Sequence, residues 1–122
     1  MNLLLVAIGG ALGSVARFVL GSLVVRLVPP TLSFLGTFAV NIIGCVMFGV
    51  IIGLGAQRVA IGGPWRAFLL VGILGGFTTF SGYAFENVAL LQDRQFALAA
   101  VNISGQVIAG VAGLWAAFAI TA

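Results

Sequence analysis

Apolar residues fill this chain in four long blocks, parted only by short polar or proline-bearing interruptions. The first covers residues 3–28 and ends at Pro29-Pro30, where a missing amide hydrogen and a fixed φ stop a helix. The second covers 32–54. The stretch from 55 to 64, with Gln57, Arg58, Gly62 and Gly63, has the composition of a turn. The third block covers 65–91 and opens on Trp65, an aromatic of the kind that sits at a membrane–water interface. Gln92-Asp93-Arg94-Gln95 then leads into a fourth block over 96–121. Each block reaches the ~20 residues that a helix needs to cross the hydrocarbon layer. The pattern predicts an all-α membrane protein, with four transmembrane helices in a single domain over residues 1–122 and no soluble part to carry catalysis.

Composition sharpens this reading. Of the residues, 62% are hydrophobic and 6% charged, and the mean hydropathy is +1.30. Water-soluble domains carry roughly a quarter charged residues, so this chain could not cover itself against water. The N-terminus lacks a basic flank and its apolar run outlasts a signal-peptide core, so the first helix is expected to be kept. The net charge of +3 comes from five scattered arginines against Glu86 and Asp93. No cluster of them forms a basic patch, and no nucleic-acid partner is expected. With no histidine, a single cysteine and two acids, there is no general-base or metal-ligand side-chain cluster, which excludes an enzyme. Cys45, beside Gly44 in an apolar run, reads as a small packing residue.

Polar residues in the middle of the spans bear on function. Arg17 is near the centre of the first, Asn41 of the second and Thr78-Thr79-Phe80-Ser81 of the third. Asn102, Ser104 and Gln106 lie just before the centre of the fourth. Such groups are costly at that depth and face a protein interior or a water-filled path. They can line a pathway, or they can tie one helix to another, and Asn102 and Gln106 at i,i+4 spacing suit either role. Arg17 has no acid in the first two spans to neutralise it, and an anion is its natural partner. Gly9 and Gly13, Gly49 and Gly53, and Gly72 and Gly76 are each four apart, as in helices that pack closely in lipid.

The centre of the third span reads Gly72-Ile73-Leu74-Gly75-Gly76-Phe77-Thr78-Thr79-Phe80-Ser81-Gly82-Tyr83. Paired glycines followed by β-branched threonines make a poor helix centre. A break there would free backbone groups at the midplane, where carbonyls bind cations and helix N-termini bind anions. Phe80 and Tyr83, three residues apart, lie roughly one above the other. An aromatic ring has a positive edge, and a small hard anion could lie in its plane.

Together these segments resemble the Fluc/CrcB fluoride channel family over the whole chain. The matching stretches are Gly9-Gly10-Ala11-Leu12-Gly13-Ser14-Val15-Ala16-Arg17, Gly36-Thr37-Phe38-Ala39-Val40-Asn41-Ile42-Ile43-Gly44, and most specifically Gly72 through Ser81. The resemblance implies passive fluoride export across a bacterial inner membrane by an antiparallel, dual-topology homodimer embedded in lipid, with a broken third helix and two pores. It implies pore residues Asn41, Phe80 and Tyr83, with Thr79, Ser81 and Thr37 as further polar contacts and Arg17 at a vestibule. It also implies a structural sodium ion (Na+) on the dimer axis, held by the backbone carbonyls of Gly75 and Thr78. Asn102, Gln106 and Ser104 form a lower-ranked polar track. The chain departs from the family in two places: Gly82-Tyr83 stands where it more often has Thr-Phe, and Asn102 and Gln106 stand where it often offers tyrosine and serine.

A four-helix proton-coupled drug exporter is the rival reading. It needs a titrating carboxylate inside the membrane, and only Glu86, late in the third span, is a candidate. Orientation signals are balanced: Arg58 and Arg66 flank one face, and Arg26 and Arg94 the other.

Overall fold

The computed structural model describes residues 2–57 and 62–122. Helix α1 (Asn2–Leu27) ends two residues before Pro29, and Pro30–Leu32 makes a single 3₁₀ turn into α2 (Leu35–Gln57). That turn moves the start of α2 three residues beyond the sequence expectation. At its far end α2 absorbs Gly55, and Gly63-Pro64 already belongs to the next helix. The expected 55–64 turn is therefore helical at Gly55–Gln57 and at Gly63-Pro64, and Arg58 lies outside the described residues. Helix α3 (63–77) is α-helical at Gly63–Arg66, π-helical at Ala67–Leu74 and α-helical again at Gly75–Phe77. Thr78 (φ −82°, ψ 156°) and Thr79 (φ −147°, ψ 116°) are extended, and α4 (Phe80–Gln92) follows them. Helix α5 (Phe96–Thr121) completes the chain. Residues Asn2–Leu27, Pro30–Ala56, Gly63–Gln92 and Phe96–Thr121 are four segments long and apolar enough to span a membrane.

Two helix pairs carry most of the packing, α1 along α3 and α2 along α5. The first is a contact of backbone on backbone. A Cβ on Gly9 would come within 2.7 Å of the Phe68 carbonyl oxygen, and one on Gly76 within 2.5 Å of the Gly10 carbonyl oxygen. A Cβ on Gly13 would fall on the Ile73 carbonyl. The wider π turn brings residues four and five apart onto one line. Phe68, Gly72, Ile73, Gly76 and Phe77 therefore all meet α1. In the second pair, Gly49 and Gly53 sit against Leu114, Ala117, Phe118 and Thr121. With no hydrophobic effect between helices in lipid, this close approach supplies the dispersion contact that holds them. Cys45 fits the same scheme, its Sγ lying 3.3 Å from where a Cβ on Gly110 would be.

The α4–α5 corner is closed by the backbone itself. Gln95 N–H donates to the Leu90 carbonyl (2.8 Å) and Arg94 N–H to that of Leu91 (3.1 Å), with Arg94 in the left-handed region at φ 57°. This six-to-one and five-to-two pairing satisfies the last carbonyls of α4 and turns the chain at once into α5.

The interior is thin. Val40 and Asn102 have the only large side chains wholly buried among the described residues, while Leu3, Phe18, Phe85, Trp115 and Ile120 stand out from the surface. A surface this apolar suits hydrocarbon, where helices satisfy their own backbone and side chains need no water.

Candidate functional site

The site is built around one peptide group. Because Thr79 is extended, its N–H and C=O face sideways instead of along a helix axis. The Asn41 side chain of α2 takes both: Thr79 N–H donates to Asn41 Oδ1 (2.8 Å), and Asn41 Nδ2 donates to the Thr79 carbonyl (3.0 Å). Gly44, one turn further along α2, makes the approach possible, since a Cβ there would strike the Thr78 methyl. The Thr79 hydroxyl caps α4 by accepting from Gly82 N–H (3.0 Å).

This arrangement releases two carbonyls. In an unbroken helix, Thr79 N–H would bond to the Gly75 carbonyl and Gly82 N–H to that of Thr78. Here Asn41 takes the first donor and the Thr79 hydroxyl the second. Gly75 and Thr78 thus keep carbonyl oxygens that their usual helical donors no longer cover. Both residues line the same cleft as Asn41.

From Asn41 a file of side-chain carboxamides runs through the protein. Asn41 Nδ2 also donates to Gln106 Oε1 (2.8 Å), Gln106 Nε2 to Asn102 Oδ1 (2.8 Å), and Asn102 Nδ2 to Asn87 Oδ1 (2.7 Å). Asn87, Asn102 and Gln106 are the buried polar residues among those described. Asn102 and Gln106 therefore do tie helix to helix, and Gln106 also lines the cleft. Asn87 was not singled out in the sequence. Its spacing of four from Tyr83 on α4 is the one signal that could have found it.

The cleft holds about 370 Å³, and its wall includes Phe80, Tyr83, Thr79 and Phe48. The Phe80 and Tyr83 rings are 5.6 Å apart between centroids and inclined at 42°. Phe80 is 79% exposed in the single chain. Tyr83 donates its hydroxyl to the Ile103 carbonyl on α5 (2.7 Å), so the hydroxyl that distinguishes it from phenylalanine is spent internally and anchors the ring.

Other residues fall around this centre. The Ser81 hydroxyl lies 3.2 Å from that of Thr79, at the mouth of α4. Thr37 donates to Glu86 Oε1 (2.7 Å), and Glu86 Oε2 is buried with no partner among the described residues. Ser104 is exposed and returns its hydroxyl to Ala100 of its own helix. Arg17, half-buried on α1, is not on the wall of the cleft.

Residues 4–118 match the protein family described as CrcB-like protein, Camphor Resistance (CrcB). A protein of Methylobacillus flagellatus named fluoride-specific ion channel FluC is 40% identical over 117 residues, which covers 96% of this chain and 91% of that one. A protein of the same name from Nitratidesulfovibrio vulgaris is 41% identical over 114 residues, covering 93% and 91%. A third, from Chlorobium phaeobacteroides, is 46% identical over 112 residues, covering 92% and 85%.

Proposed function

This chain belongs to the CrcB family, and from that premise we propose that it is a channel subunit through which fluoride crosses the membrane passively. The observation that carries the proposal is the cleft where Asn41 and Thr79 meet beside the Phe80 and Tyr83 rings, in a chain whose relatives are named fluoride-specific ion channels. A small, strongly hydrated anion must exchange water for other donors to enter such a place. Amide N–H groups and the positive edges of aromatic rings provide them without a fixed charge to trap the ion. A proton-coupled exporter is not favoured: the one acid within the spans, Glu86, is held by Thr37 and is absent from the cleft wall.

The direct experiment is fluoride efflux from liposomes carrying the purified protein, followed with a fluoride electrode. Passive efflux well above that of protein-free vesicles is expected. Efflux at the protein-free rate would remove the proposal, and so would proton-driven drug uptake.

We further read the working unit as an antiparallel homodimer in a bacterial inner membrane, with the third helix broken at Thr78–Thr79 and Arg17 at a vestibule that gathers anions. The exposed apolar face of α1 and the balanced flanking arginines support this reading. In cells, a cysteine introduced at Gln95 in a Cys45→Ala background should react with an impermeant maleimide in about half of the copies. Labelling of all copies, or of none, would show a single orientation.

Gly75 and Thr78 fit a structural sodium ion, because each presents a carbonyl oxygen deprived of its helical donor, and such oxygens suit a hard cation. Its role there would be to neutralise those dipoles where the helices meet. Exchange of sodium for a large organic cation should lower fluoride efflux slowly and reversibly. Sodium movement in fixed ratio to fluoride would instead make the protein a cotransporter.

A further inference from the structure

Asn41 has two N–H groups, and both are already engaged: one on the Thr79 carbonyl and one on Gln106 Oε1. On the fluoride reading, an ion that comes to Asn41 must therefore take an N–H from one of them. The Thr79 carbonyl belongs to the backbone, between Asn41 and the start of α4, and cannot leave without undoing the junction. Gln106 Oε1 stands at the end of a side chain with three torsions, and it is the partner that can move.

The orientation of these amides is fixed from one end. Thr79 N–H must face an acceptor and its carbonyl must face a donor, which sets Asn41 with Oδ1 on the first and Nδ2 on the second. Nδ2 then has to meet an oxygen of Gln106, which leaves Gln106 Nε2 for Asn102 Oδ1, and Asn102 Nδ2 for Asn87. The oxygen of Gln106 is thereby directed at the one Asn41 donor that an anion could claim.

We infer that Gln106 is an internal competitor of the permeating anion: its carbonyl oxygen holds an Asn41 N–H while no ion is present and yields it when fluoride arrives. This rests on the fluoride reading of the cleft. The exchange runs towards the ion because a charged acceptor makes a stronger hydrogen bond than a neutral amide oxygen. Gln106 stays tethered through Nε2 to Asn102 while its oxygen swings away. Between ions, the arrangement keeps a half-buried donor satisfied, which would otherwise be left bare at the midplane. Gln106 is thus a positioning residue that sets how much fluoride is needed to enter the pore.

The test is the fluoride dependence of flux in two variants of opposite sign. Gln106→Met keeps the length and flexibility of the side chain but has no strong acceptor. The half-saturating fluoride concentration should fall by roughly fivefold, the net worth of about one neutral hydrogen bond. Gln106→Glu keeps an oxygen of greater acceptor strength on Asn41, and the half-saturating concentration should rise. A loss of flux in Gln106→Met without that fall would mean that Gln106 is itself an ion ligand or a strut, and the inference would be wrong. If Gln106→Met does not assemble, side-chain amide NMR of the wild-type protein decides. Fluoride should shift the amide signals of Gln106 together with those of Asn41, and a shift of Asn41 alone overturns the inference. Wild-type protein that passes no fluoride would remove the channel reading itself, an outcome distinct from a failure of the Gln106 variants alone.

Discussion

Replacing Phe80 with isoleucine should reduce fluoride efflux to that of protein-free vesicles while leaving the assembled protein intact. The two halves of this expectation have separate grounds. Phe80 is 79% exposed in the single chain and contributes nothing to the buried interior formed by Val40, Leu74 and Phe77. Isoleucine is apolar and tolerated in a membrane helix, so α4 and its Thr79 cap survive the change. What disappears is the ring. A desolvated anion beside Phe80 loses a positive edge and gains aliphatic hydrogens with almost no polarity. Tyr83 cannot compensate, because its hydroxyl is bound to the Ile103 carbonyl and its ring is fixed with it. Phe80→Trp keeps an aromatic edge and should retain measurable efflux. Wild-type efflux from Phe80→Ile, with the protein eluting at its normal size in detergent, would show that the ring is ordinary lipid-facing surface.

The four spans were legible because hydrocarbon imposes a length and a composition at the same time. The spans placed at 96–121 and 3–28 fall within one residue of α5 and α1. The start of the second span was less legible: proline marks where a helix stops but says little about the 3₁₀ turn that Pro30–Leu32 forms before α2. The π winding of Ala67–Leu74 was not legible at all, since Gly72 and the β-branched Val71 and Ile73 weaken a helix without specifying a wider turn. At the candidate site, depth in the spans points to Asn41, Thr79, Phe80 and Gln106, and the aromatic spacing from Phe80 points to Tyr83; all five line one cleft. The sequence could not say that Asn41 would spend all its hydrogen-bonding groups inside the protein, because that depends on a helix pairing invisible in one dimension. Asn87 was missed for a similar reason. Its role exists only through Asn102, fifteen residues away on another helix.

Asn41→Asp is the second change expected to stop conduction, and it should do so with nearly the same side-chain volume. The carboxylate still accepts from Thr79 N–H, so that contact is kept. The other end now presents an oxygen to two oxygens, the Thr79 carbonyl and Gln106 Oε1. The relay can relieve one conflict, because Gln106 can turn its amide over, and Asn102 and Asn87 can turn in sequence behind it. The Thr79 carbonyl cannot turn, since it is fixed by the backbone leading into α4. If the new acid ionises, a negative charge at the bilayer midplane costs on the order of 2.5–3.5 kcal/mol on insertion scales, and it repels fluoride from the cleft. If it stays protonated, its one O–H can serve the Thr79 carbonyl or Gln106 but not both, and position 41 has no second donor to yield to the ion. Either way fluoride efflux should fall by at least about tenfold, the effect of losing one hydrogen bond to a charged group. The assembled protein should also melt at a lower temperature. Asn41→Asp with undiminished efflux would reduce Asn41 to a brace between α2 and the Thr78–Thr79 junction.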